Sequence, residues 1–381
     1  MKKIVEPFMY PNDDEHSDSV INQIANAYSK AVFDRVINNA SSLVDLDIFF
    51  SDYQTIQKNG PGNGMKGWRP EMGLSLAYLR KGESLSALGQ MLAGLNDELI
   101  SPDWSLSFSK SQPDILYNSK VYRRCTGMSR STTGSIIIDA LGGIVESRVR
   151  PITLVAGAKK TYQDDTNHNQ NLYILTVTGE MGEHSESIWP LTKVIDSDLD
   201  YSVFIASLDD AFELIRSYAP EYYQWVKRAT KGLCIFRKDD GTGIFNSASS
   251  SVNPGIITVS MPISVLSLAE TLVHEATHQY FLLLDYCFPF HDGSDDKLYY
   301  SPVRHQDRPL GLILLAFHAV ANMALFYKKM MKCDEHESLS TIYYNEKREA
   351  ALGLSQGLNA TPALTQSGIV LRDSLVERLE I

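Results

Sequence analysis

The chain has 381 residues, of which 44% are hydrophobic and 21% charged, and a net charge of −11. Such proportions fit a globular protein with a large core, built as two domains or as one domain with large insertions. The acidic excess argues against non-specific binding to nucleic acid or to anionic membranes, which both need a positive field, so neither partner is expected.

The opening MKKIVEPFMYPNDDEHSDS has no apolar run of signal-peptide length, so no secretion signal is expected. From about Ser19 to Val44, apolar residues at helical spacing (Ile21, Ile24, Ala25, Tyr28, Val32, Val36) predict an amphipathic helix. Asn59–Pro70, rich in Gly and Pro, reads as a loop, and 71–96 reads as helical again. Between about 150 and 260 the runs ITLVAG, NLYILTVTG, YSVFIASL, GLCIFR and GIITVS predict strands, interrupted by a helix at about Asp209–Arg228. Beyond Ser264 the pattern is mostly helical. The apolar run Leu310–Phe326 holds His318 and Asn322 and reads as a buried helix rather than a membrane span. The expected fold is α+β and mostly helical, with a mixed sheet in the middle third leading into a metal-binding helix. It divides into an N-terminal helical region, 1–148, and a sheet plus C-terminal helical catalytic region, 149–381. The four cysteines, Cys125, Cys234, Cys287 and Cys333, are scattered and form no CxxC. That pattern suggests neither a disulfide framework nor a thiolate zinc site, and fits a reduced cytoplasmic setting.

The segment SLAETLVHEATHQYFLLLDY, 267–286, carries the chemistry. Ser267 and Glu270 form an S-x-x-E capping box, which predicts the helix start. His274 and His278 lie one turn apart on one face, so both imidazoles can reach one divalent ion. Glu275 sits about 100° further round the helix and can stand beside that ion without binding it. Two histidines leave a third ligand to be found, with at least one position open for chemistry. His318, in the apolar helix at about Pro309–Met331, is the expected third ligand. His291, His305, Asp285 and Asp292 are its rivals. Two core histidines side by side would otherwise each need a buried hydrogen-bond partner. The strand candidate Ile256–Ser260 stands where metalloprotease folds place an edge strand beside the active helix. In YYSPVRHQDRPL, 299–310, Arg304 and Arg308 stand where a loop enters a helix. They are either solvated and paired with nearby acids or form an anion clamp, since a guanidinium fork binds carboxylate in bidentate fashion. Trp68, Arg69, Arg123, Arg124 and Asn246 stand in loop-like segments and read as ordinary surface residues.

Together, HEATH at 274–278, YYSPVRHQDRPL at 299–310 and His318 in the following helix resemble a known family. It comprises the HExxH-type peptide-modification proteins of peptide natural-product clusters, whose members with an assigned activity are 2-oxoglutarate-dependent iron peptide β-hydroxylases. The likeness covers about 60 residues well. It implies Fe(2+) on His274, His278 and His318, and 2-oxoglutarate held by Arg308 or Arg304 at its distal carboxylate. Glu275 would then orient a ligand or a bound water, or itself coordinate. Dioxygen would be the cosubstrate, and the substrate a C–H bond of a peptide side chain, in a ribosomal precursor. The alternative is a zinc metallopeptidase, with Zn(2+) on the histidines and Glu275 as general base. Against it, six residues beyond His278 stands Leu284 rather than a further histidine, and no NExxxD-like motif follows. A non-catalytic protein that keeps the helix as core is the third reading. Neither the substrate nor the oligomeric state is legible in the residues.

Overall fold

The computed structural model describes all residues except 13–14, 62–67, 96–98, 109–111, 118–119, 123, 142–143, 147, 151–171, 176–200, 238–246, 252–253 and 262. The chain opens with α1 (Lys2–Met9), α2 (Glu15–Ala40) and α3 (Tyr53–Asn59), then α4 (Pro70–Arg80) and α5 (Ser84–Gly94). The predicted helix at 19–44 is therefore α2, begun one turn earlier. The helical stretch at 71–96 is two helices, because Gly82 takes φ +76° and turns the chain between them.

The next segment differs from the expected N-terminal helical region. Short strands β1 (Trp104–Ser107), β2 (Ile115–Tyr117), β3 (Lys120–Tyr122), β4 (Cys125–Arg130), β5 (Ile136–Ala140) and β6 (Ile144–Glu146) form two small antiparallel sheets, β1-β4-β5 and β2-β3-β6. The β4–β5 hairpin turns at Gly134, φ +84°, and its second strand begins with three isoleucines that suit a pleated surface.

The middle third holds the mixed sheet, in order β10-β11-β9-β8-β7. Its strands are β7 (Arg148–Arg150), β8 (Leu172–Leu175), β9 (Gly232–Arg237), β10 (Ser247–Ser249) and β11 (Ile256–Met261). β11, β9 and β8 run parallel, while β10 and β7 pair antiparallel at the two sides. Three of the predicted strands, GLCIFR, GIITVS and part of NLYILTVTG, are realised here as β9, β11 and β8. ITLVAG lies outside the described residues. YSVFIASL is not a strand: Tyr201–Tyr218 is α6. Its buried residues Leu208, Ala211, Phe212 and Ile215 fall at helical spacing, and the period of the whole segment outweighs the β-propensity of its first turn. Pro220 at the first position of α7 (Pro220–Ala229) splits the helix expected over 209–228.

The last third is α8 (Val265–Cys287), the hairpin β12 (Leu298–Ser301) and β13 (Gln306–Pro309), then α9 (Leu310–Met330), α10 (Glu337–Asn359) and α11 (Gln366–Leu379). The fold is thus α+β and mostly helical, with the mixed sheet leading straight from β11 into α8. α8 is central: it packs against α9, α6, α7, α1 and α2. Leu268, Ala269, Leu272, Val273, Ala276, Leu283 and Leu284 are all fully buried along it. α9 is long and apolar enough to cross a membrane, yet 72% of that stretch is buried inside the protein, against α8, α10 and α11.

Candidate metal centre

α8 begins at Val265, one turn before the capping box read from the sequence. The cap is Ser264, whose Oγ accepts from the Ser267 amide at 3.2 Å. Glu270 is not a capping residue. Its carboxylate accepts from the Tyr327 hydroxyl at 2.6 Å and stands 3.6 Å from Lys347, tying α8 to α9 and α10.

Two turns into this helix, His274, Glu275 and His278 each offer one ligand atom, and these atoms lie within 4.8 Å of one another. The imidazole centroids of His274 and His278 are 4.5 Å apart. His274 Nδ1 lies 3.4 Å from Met323 Sδ of α9, while its Nε2 stands 3.8 Å from Glu275 Oε1. The thioether accepts from Nδ1–H, so the Nε2 lone pair is the one left for a cation. Burial holds the His278 imidazole well below its ordinary pKa, with the nearby His274, His318 and Arg304 acting the same way. His278 is therefore neutral, the state a metal ligand needs.

Glu275 is 1% exposed. Its Oε1 accepts from Ser247 Oγ at 2.5 Å, and Ser249 Oγ donates to the Glu275 backbone carbonyl at 3.3 Å. Both serines lie on β10. The strand that bonds Glu275 of α8 is thus β10, at the side of the sheet, whereas Ile256–Ser260 in β11 lies between β10 and β9. The sequence analysis overlooked these partners. Ser247 and Ser249 stand in a serine-rich run without motif, and Met323 is one apolar residue among many in α9.

Glu275 Oε2 and His278 Nδ1 are buried without a hydrogen-bond partner among the described residues. Leaving such atoms unmet costs about 1–3 kcal/mol each, more for a charged group. Two imidazoles and one carboxylate, with Glu275 Oε2 and His278 Nδ1 unmet, are a donor set that fits a divalent transition metal.

His318 lies outside this three-residue group. It is fully buried in α9, its Nε2 donating to the Met9 carbonyl at 3.0 Å and its Nδ1 without a partner among the described residues. Asn322, one turn on, donates to the same carbonyl at 2.7 Å and accepts from the Tyr222 hydroxyl at 3.0 Å. The rival ligands also lie outside the group, although the His291 Nδ1 is buried without a partner among the described residues. Asp285 accepts from the Phe290 amide, Asp292 from Ser294, and His305 meets the Tyr300 hydroxyl. His291 pairs through its backbone with Leu364.

Arg304 and Arg308 belong to the β12–β13 hairpin, which packs on α9 beside the site. Arg304 is exposed near the turn, where His305 takes φ +51°; Arg308 is half-buried opposite Tyr299. Neither side chain has a hydrogen bond or an ion pair among the described residues, so neither is spent on a nearby acid.

The loop residues behave variously. Trp68 is buried and donates to Gln279 on α8 at 3.1 Å, so it is core rather than surface. Arg69 is partly buried, with an Nε that has no partner among the described residues. Arg124, at φ +50°, is held by Asp114 and lies in the small sheets. Arg123 and Asn246 lie outside the described residues.

No protein-family model matches the chain, and no curated protein matches it. The functional reading therefore rests on the chemistry of this centre and on the resemblance of the HEATH and YYSPVRHQDRPL segments.

Proposed function

We propose that the chain is an iron(II)- and 2-oxoglutarate-dependent hydroxylase acting on a C–H bond of a peptide side chain. The observation that carries this reading is the convergence of half-buried His274 and His278 with buried Glu275, on a helix that packs against the one led into by the hairpin of Arg304 and Arg308. The peptide character of the substrate comes from the resemblance.

Iron(II), when bound with 2-oxoglutarate and dioxygen, supplies the oxidising power for C–H hydroxylation, with succinate and carbon dioxide as coproducts. The chain's own part is positional. His274 and His278 present ring nitrogens to the ion. Met323 fixes the orientation of the first ring, and the core around α8 and α9 fixes the second. Arg304 supplies a fixed positive charge for the distal carboxylate of the keto acid, with Arg308 next along the hairpin. The His274 side chain is 29% exposed, so one side of the centre stays open to cosubstrates.

The placement of Glu275 beside the histidine pair also suits a zinc metallopeptidase, in which it would serve as general base. Anaerobic purification with metal quantification, followed by succinate release with and without a candidate peptide, separates the two. The hydroxylase reading expects iron and succinate formation that depends on 2-oxoglutarate. Stoichiometric zinc with peptide cleavage in the absence of 2-oxoglutarate would replace it by the peptidase.

A further inference from the structure

We infer that Glu275 is itself the third metal ligand, through Oε2, and that Ser247 on β10 is the residue that positions it. The inference rests on the metal-centre reading above and settles its ligand set. It makes the centre a two-histidine, one-carboxylate site built from consecutive turns of one helix.

Three observations converge. First, distance: donor atoms bound to one ion at about 2.0–2.2 Å cannot stand more than about 4.4 Å apart, and about 3 Å is usual for neighbours in the shell. One donor atom from each of His274, Glu275 and His278 already lies within 4.8 Å of the others. Small side-chain rotations close that set around an ion.

Second, the two carboxylate oxygens are not equivalent. Ser247 Oγ donates to Oε1 at 2.5 Å, while Oε2 is buried and has no partner among the described residues. A carboxylate held at one oxygen by a hydroxyl is oriented, and its second oxygen keeps its lone pairs for a cation. Ser249, one pleat along, bonds the Glu275 carbonyl at 3.3 Å, so β10 grips this residue at both side chain and backbone.

Third, the competing ligand is held elsewhere. His318 Nε2 is 3.0 Å from the Met9 carbonyl, which Asn322 also holds, and neither His318 nitrogen joins the group. Its Nδ1 is buried without a partner among the described residues, yet it lies outside the set of mutually close donor atoms that His274, Glu275 and His278 form. Coordination by Glu275 also removes it as a general base, which weighs against peptidase chemistry at the same centre.

The test is cobalt(II) binding to the full chain, followed by X-ray absorption on the cobalt-loaded protein. The inference expects scattering from two imidazoles; three imidazoles would overturn it without recourse to any variant. Among variants, Ser247→Ala should weaken cobalt affinity by about 10–100-fold, as loss of an outer-shell partner does, and Ser247→Thr should restore it. Glu275→Gln should lose more affinity than Ser247→Ala, and His318→Gln should bind within about threefold of the wild type, each with an unchanged circular dichroism spectrum. Wild-type affinity in folded Glu275→Gln, or lost binding in folded His318→Gln, overturns the ligand set while leaving the hydroxylase reading standing. Failure of the wild type to take up cobalt or iron overturns both.

Discussion

At the residue scale, His318 and the two arginines make the sharpest claims. Burial pushes the His318 imidazole down to about 4, partly offset by its bonds to the Met9 and Phe8 carbonyls. The unfolded chain takes up this proton near pH 6.5 and the folded chain only near 4. The stability held with His318 neutral is therefore complete above about pH 6.5 and is lost as the pH falls toward 4, a change on the order of 3 kcal/mol. Urea titrations from pH 7 to 4 should show a slope that His318→Gln flattens; an equal slope in both proteins would disprove it. On the proposed hydroxylase reading, replacing Arg304 or Arg308 with Ala should raise the 2-oxoglutarate requirement by about 10–100-fold, the worth of a charge-assisted bond. Initial rates against 2-oxoglutarate concentration decide it, and an unchanged requirement in either variant would remove that arginine from the proposal. The sequence pattern picks out both arginines, and the hairpin gives them different surroundings, Arg304 exposed near the turn and Arg308 half-buried opposite Tyr299.

At the element scale, α8 was legible because its period is long and its faces distinct. Its start was not: two serines three apart both suit an N-cap, and the one that wins is decided by where β11 ends. Ser264→Ala should cost about 1 kcal/mol in thermal or urea unfolding, and Ser267→Ala less, which a direct comparison of the two variants will show. The strand misread at 201–208 has the opposite cause. Its β-branched and aromatic residues are individually strand-like, but burial at Leu208, Ala211, Phe212 and Ile215 belongs to a helix. The small sheets at 104–146 escaped notice because strands of three to six residues carry too little alternation to register. Later, α11 crosses the Pro289–Phe290 backbone so closely that a Cβ on Gly368 would lie 2.1 Å from the Phe290 carbonyl oxygen. Gly368→Ala should lower the melting temperature markedly, by about 4 °C or more if it costs 2 kcal/mol or more.

At the scale of the molecule, one apolar core runs from α1 to α11, and buried polar bonds fix how its helices meet. The end of α1 is held by His318 and Asn322, and Asn322 in turn by Tyr222 of α7. Asn322→Ala would leave the Tyr222 hydroxyl only its 3.2 Å bond to the backbone carbonyl of that position and would weaken the hold on Met9, costing about 1–3 kcal/mol, and should speed amide exchange in residues 2–9. Exchange that is unchanged in α1 would show that apolar packing alone docks it. The amino-acid order by itself determined that two histidines share a helix face, that this helix is buried, and that α9 belongs to a core, because these follow from local periodicity and hydropathy. Only the tertiary structure decided which residues surround that pair. Ser247 and Met323 come from elements distant along the chain, and His318 is drawn to Met9, more than three hundred residues away. Hydrogen bonds of that separation depend on how elements dock, and no local pattern encodes them.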